Sequence, residues 1–315
     1  MGYYLYKLKF TTPLHIGKSS GGNSLDDGQM TIHADTIFAA LCAEAVKIGK
    51  IEELYTLFNE NVLTITDALP YKENEIYLPK PILYTDKKKT VENSPNKKTL
   101  KNLDYIAINK FKDYLQFINQ NDVNVDLDDY TTNFGNISVN TRVAVNNEGS
   151  PLPYHVAAFR FNPACGLYII LQTSQTAALD LFNILLESLG LSGIGGKQSS
   201  GWGKFEVYPS LIPEELKELL DDKEAPYQML LGTYLPKDEE LDSALANAWY
   251  MLLRRGGFVR SETYAPGQLK KRTIYMLGAG SCLRRRIPGA IFDLSDNGNH
   301  PVWRSGKTLF VGVNI

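Results

Sequence analysis

Residues Gly193–Gly203 read GIGGKQSSGWG, with five glycines in eleven positions. Such a run cannot be helix or strand interior, because each glycine gives up more backbone freedom than any other residue and offers no side chain to pack. What it can do is turn sharply, adopt positive φ and bring backbone N–H groups to a surface. Successive N–H groups form concave nests that hold phosphate oxygens. Lys197 adds a point charge, and Ser199 and Ser200 add hydroxyl donors. The segment is not a nucleotide P-loop: GxxxxGK[ST] ending at Gly196-Lys197 needs glycine at 191 and Ser or Thr at 198, where Leu191 and Gln198 stand. GxGxxG fails as well, because Gly193-Ile194-Gly195 is followed by Gln198. Both motifs also run from strand to helix, whereas this loop leaves a helical face (Leu179, Phe182, Leu186, Leu189, stopping at Gly190) and enters an apolar strand, FEVY. A phosphodiester backbone therefore suits it better than ATP or a dinucleotide.

The chain of 315 residues is long enough for two domains. Apolar residues make up 43% and charged residues 22%, which rules out wholesale disorder. No apolar run approaches the roughly 18 residues of a membrane span, so no membrane partner is expected. MGYYLYKLKF is charged and alternating, unlike a signal peptide. Cys42, Cys165 and Cys282 lie too far apart for a CxxC pair, so a reducing cytoplasm is the expected compartment. The net charge of −2 hides an asymmetry: the stretch from Arg254 to Ile315 carries +8 and the remainder −10. One polyanion-facing surface is the expectation, not a wholly basic binder.

Tyr3–Phe10 reads as the first strand and 17–30 as a loop. Asp35 is placed to cap a helix over Thr36–Ile48 that Gly49 ends, and Ile51–Phe58 gives a second helix. Residues 84–98 look like an exposed basic loop, Leu100–Ile118 repeats at helical spacing, and 119–136 is loop-like. Gly166–Thr173 is a strand. Pro213 opens a short helix, Gln228–Leu235 is a strand, and Asp238–Arg255 is a helix on Leu241, Leu245, Ala248 and Leu252. Thr273–Leu277, Ala290–Leu294 and Thr308–Val313 complete the strands. Two α+β units meeting near 209–225 follow, with the ferredoxin-like βαββαβ arrangement as the natural unit.

At the glycine loop the sequence resembles the RAMP superfamily of CRISPR-associated proteins, whose signature has the form GxGGKxSxGxG. TTPLHIG (Thr11–Gly17) and HADTIFAALC (His33–Cys42) resemble the first strand end and first helix of such proteins. GAGSCLR, PGAIFDL and HPVWRSGKTLFVGV are similar to the type III-A (Csm) effector subunit that caps the 5′ end of the guide RNA. Residues 84–135 match only in character. The resemblance implies an α+β fold of two ferredoxin-like (RRM-like) domains, 1–210 and 211–315, with a β-hairpin thumb within Asn136–Asn162. It implies a non-catalytic role without cofactor or metal. The chain would hold the crRNA 5′ handle and join the large polymerase/cyclase-like subunit to a neighbouring RAMP backbone subunit.

Carried over by position, Gly193, Ile194, Gly195, Gly196, Lys197, Ser199, Ser200 and Gly201 would line the handle, with His15 and Lys18 beside them and Arg142 and Arg160 on the thumb. Arg284, Arg285 and Arg286 would meet RNA phosphates or an acidic subunit surface. Two rivals stand beside this reading. One is a metal-independent endoribonuclease that processes guide RNA, with His15 or His33 in proton transfer and Lys18 or Lys197 on the phosphate. The other is a scaffold that contacts only protein. The pairs Asp26-Asp27 and Asp128-Asp129 lie in loop-like sequence and read as charged loops, not as a metal site.

Overall fold

The computed structural model describes residues 2–18, 25–83, 102–120, 130–144, 151–261 and 263–315. The expected basic loop at 84–98 and the pair Asp128-Asp129 lie outside them.

The first half is one antiparallel sheet. β1 (Gly2–Phe10), β3 (Leu69–Lys72), β4 (Glu75–Pro79), β5 (Tyr105–Ala107), β8 (Cys165–Thr173) and β9 (Phe205–Ser210) run in the order β5-β4-β3-β8-β1-β9, with β2 (Thr64–Ile65) also on β8. β8, CGLYIILQT, is apolar almost throughout, as a central strand covered on both faces must be. Leu167, Ile169 and Leu171 face a core shared with α1 (Ala34–Lys47), α2 (Ile51–Asn59) and α4 (Thr176–Ser192). Tyr168 and Ile170, on the opposite face, enter a second core with α3 (Ile108–Gln120), α5 (Glu214–Asp221), β10 (Tyr227–Leu230) and β16 (Phe310–Val313). The second half therefore packs directly on the sheet of the first.

After α5, the sheet β13-β10-β16 includes β13 (Cys282–Leu283). Two ribbons complete it: β11 (Leu252–Arg255) with β12 (Ile274–Leu277), and β14 (Ile291–Asp293) with β15 (Trp303–Ser305). α6 (Asp238–Leu245) stands between β10 and β11. β6 (Gly135–Ala144) and β7 (Leu152–Phe161) form a separate hairpin, inserted between α3 and β8. No helix among the described residues is long and apolar enough to cross a membrane.

Several expectations are corrected. The helix expected over Leu100–Ile118 is interrupted: Tyr105–Ala107 pairs with the edge of β4 instead, and α3 starts at Ile108. The helix expected over Asp238–Arg255 stops at Leu245. Asn247 turns to φ 54°, and Leu252–Arg255 pairs with β12. The strand expected over Gln228–Leu235 is shorter, ending at Leu230. Gly190 does not end α4, which runs on to Ser192. It is glycine because a Cβ there would lie 2.5 Å from the Phe205 carbonyl oxygen. Asp35 does not cap α1 either. Its buried carboxylate pairs with Arg255 and Arg304, and the cap comes from Asp67, whose Oδ1 accepts the Ala34 N–H at 2.6 Å. Gly49, at φ 68°, ends the first helix as expected.

A candidate nucleic-acid interface

The glycine loop is a moulded surface between α4 and β9. Gly193, at φ 84°, donates to the Leu189 carbonyl, and the N–H of Ile194 donates to Gly203. Gly196 and Gly203 donate to the carbonyls of His15 and Pro13. A Cβ on Gly203 would sit 1.9 Å from the Ile194 carbonyl oxygen, so only glycine fits this crossing. Lys197, at φ 61°, begins a 3-10 turn over Gln198–Ser200. The internal bonds consume the N–H groups of Ser200, Gly201 and Trp202 as well. Among the described residues, the N–H groups of Gly195, Lys197, Gln198 and Ser199 have no acceptor. The expected amide nest thus narrows to these four positions.

The hairpin lies against the loop through two interlocked cation–aromatic pairs. Trp202 is buried on Val156 and Ala158 of β7. The Arg142 guanidinium sits 4.8 Å from the Trp202 ring centroid and donates to Ser200 Oγ at 3.0 Å. Tyr154, directly opposite Arg142 across the ribbon, has Lys197 Nζ 4.6 Å from its ring centroid. From the second half, Arg260 donates to Gln198 Oε1. No Asp or Glu occurs between Gly190 and Lys204. The result is a surface of cations, aromatic faces and N–H donors, the chemistry that holds unpaired nucleotides.

The structure brings Lys197, Ser200 and Arg142 together, with Ser199 exposed beside them. Arg160 is exposed at the other end of the hairpin, opposite Asn136. His15 is buried under the loop. Its Nδ1 donates to the Ala157 carbonyl at 2.8 Å, and a Cβ on Gly196 would touch the ring. Lys18 is paired with Asp27 at 3.0 Å, which holds that carboxyl below its usual range. His33 Nδ1 is engaged by Asp67 Oδ2 at 2.9 Å. One residue escaped the sequence reading: Asn140 Nδ2 is buried without a partner. Asn136, Ser138, Asn140 and Arg142 share one face of β6, and their alternation was the available signal.

The RAMP superfamily profile matches residues 7–206, and the profile of the CRISPR Csm4 C-terminal domain matches 223–313. The CRISPR system protein Csm4 of Mycobacterium tuberculosis (strain CDC 1551 / Oshkosh) is 35% identical over 297 residues, which is 93% of each chain. This chain belongs to the Csm4 family of the RAMP superfamily. Two crystal structures show the Csm4 fold: a Csm3–Csm4 subcomplex of the type III-A CRISPR-Cas interference complex and a Csm1–Csm4 cassette with pppApA. Their TM-scores are 0.69 and 0.62, each at 18% identity. The first covers 99% of this chain and 100% of its own, the second 100% and 99%.

In this Csm4-family chain the three consecutive arginines part company. Arg286 donates to the carbonyls of Leu220 and Asp222, each at 2.7 Å, and to Gln228 Oε1, closing the end of α5. Arg284 lies over the Tyr227 ring at 3.9 Å. Arg285 is exposed. Of the three, Arg286 is occupied within the fold and Arg285 is presented to solvent.

Proposed function

We propose that this chain holds the repeat-derived 5′ handle of a guide RNA in a type III-A effector and joins the large cyclase-like subunit to the first backbone subunit, without cutting RNA itself. The observation that carries this reading is the glycine loop with its free N–H groups, set between Lys197 on Tyr154 and Arg142 on Trp202. The partner assignment draws on the Csm4 relatives crystallised with Csm3 and with Csm1. In the first unit, 1–210, the order β9-β1-β8-β3 is that of a ferredoxin-like sheet, and the hairpin is the thumb. The second unit, 211–315, is a reduced counterpart built on β13-β10-β16. A cytoplasmic site of action follows from this role. Against the ribonuclease reading, His15 is buried, with its ring packed under Gly196.

The test is fluorescence anisotropy with a handle-bearing RNA and a scrambled RNA of equal length at matched salt. A preference for the handle, weakened about tenfold by Lys197→Ala or Arg142→Ala, is expected. Each loss should lower the salt slope by about 0.7. Equal binding of both RNAs would sink the handle assignment, and cleavage lost in His15→Ala would establish the ribonuclease.

A further inference from the structure

The glycine loop accounts for little of the positive charge of the second half. Residues 252–277 carry six Lys/Arg and one acidic residue, Glu262. β11 and β12 lie in this stretch, and their ladder continues past their ends. Val259 N–H donates to the Leu269 carbonyl, Lys271 N–H donates to the Gly257 carbonyl, and Phe258 bridges Lys270. The result is one long ribbon with two faces. Leu253, Arg255 and Val259 are half-buried, and Arg255 pairs with Asp35. Lys271 is half-buried as well, and burial lowers its amine to about 8. Leu252, Arg254, Phe258 and Arg260, which alternate with the inward positions, are exposed. Tyr275, directly opposite Arg254, is 57% exposed. Lys270 Nζ lies 5.4 Å from the Phe258 ring centroid, and Phe258 is 41% exposed. Arg260 reaches the glycine loop at Gln198, one of the four positions with a free N–H.

We propose that the outward face of this ribbon is a second binding surface for single-stranded RNA, continuing from the glycine loop. Phe258 and Tyr275 are its stacking platforms, and Arg254, Lys270 and Arg260 its phosphate contacts. This rests on the reading above in one respect, an RNA held at the loop. Aromatic rings interleaved with cations suit an unpaired strand, in which every base has a face to stack and every link a charge to neutralise. The interleaving favours RNA over a protein partner, because lysine is depleted in protein interfaces. Contacts of this kind tolerate any sequence. The glycine loop is then the point of discrimination, and the ribbon adds affinity whatever the sequence of the strand.

The experiment compares the full-length chain with Phe258→Ala and Lys270→Ala on a handle-bearing RNA of about 16 nucleotides and on its scrambled counterpart. Phe258→Ala should bind both RNAs about tenfold more weakly, with the preference for the handle unchanged. Lys270→Ala should lower the salt slope by about 0.7 on both. A photoreactive thiouridine placed outside the handle should crosslink to a peptide containing Phe258 or Tyr275. Parental affinity in Phe258→Ala, or crosslinks confined to the glycine loop and the hairpin, overturns the ribbon and leaves the handle reading intact. Equal binding of both RNAs by the unaltered chain removes the handle reading, and weaker binding of both by Phe258→Ala still supports the ribbon. Unchanged RNA binding by Phe258→Ala, with the large subunit lost from complexes assembled on it, makes this face a protein contact and overturns the proposal.

Discussion

Asp67 Oδ1 accepts the backbone N–H of Thr233 at 2.9 Å, joining two points 166 residues apart in the chain. The same oxygen caps α1 at Ala34, and the other carboxylate oxygen holds His33. One buried side chain therefore fixes the entry of the first helix and the seat of the second half. Asp67→Ala leaves two buried N–H groups without an acceptor and should cost about 3 kcal/mol. Urea unfolding followed by tryptophan fluorescence checks this, and a loss below about 1 kcal/mol would show that water replaces the carboxylate.

Lys271 makes stability rise with pH in the mildly alkaline range. Its amine falls to about 8 when folded, against about 10.4 in an unfolded chain. Between those values the unfolded chain holds a proton that the native chain has released, so raising pH favours folding. Lys271→Met should flatten this limb and stabilise the protein at pH 7 by about 1–2 kcal/mol. The readout is the difference in unfolding free energy between variant and parent from pH 7 to 10. A constant difference refutes the assignment.

Gly190 reverses a familiar expectation. In an exposed helix interior, Gly→Ala adds about 1 kcal/mol of stability. Here the added methyl meets the Phe205 carbonyl oxygen at 2.5 Å, so α4 and β9 must separate. Gly190→Ala should destabilise by about 2 kcal/mol, measured by chemical denaturation.

Arg286 and Arg285 should differ although they are neighbours. Arg286→Ala strips the carbonyls at the end of α5 of their donor and should cost about 2 kcal/mol. Arg285→Ala, at an exposed position, should change stability by less than about 0.5 kcal/mol. Parallel thermal melts of the two variants decide it.

The parts of this molecule that local pattern can reveal were legible in its sequence. The glycine loop was, because its composition forbids regular structure. So were β8, an unbroken apolar run, and the close of α1, where Gly49 has the left-handed φ it was expected to have. What escaped depends on distant partners. Asp35 looks like a cap because it stands at a helix start, yet its partners are Arg255 and Arg304, more than two hundred positions away. Leu252 continues a helical spacing, but an available edge at β12 draws it into a strand. In the candidate site, glycines, Lys197 and Arg142 could be named from sequence, whereas the burial of His15 and the orphaned Asn140 amide arise only once the hairpin docks.

The internal hydrogen bonds of the glycine loop also bear on kinetics. A segment already fixed at Ile194, Gly196, Ser200 and Gly203 has surrendered its conformational entropy before any ligand arrives. Association at this surface then needs no loop ordering and is governed by electrostatic encounter, so related strands would arrive at similar rates. Discrimination between them would reside in how long each one stays.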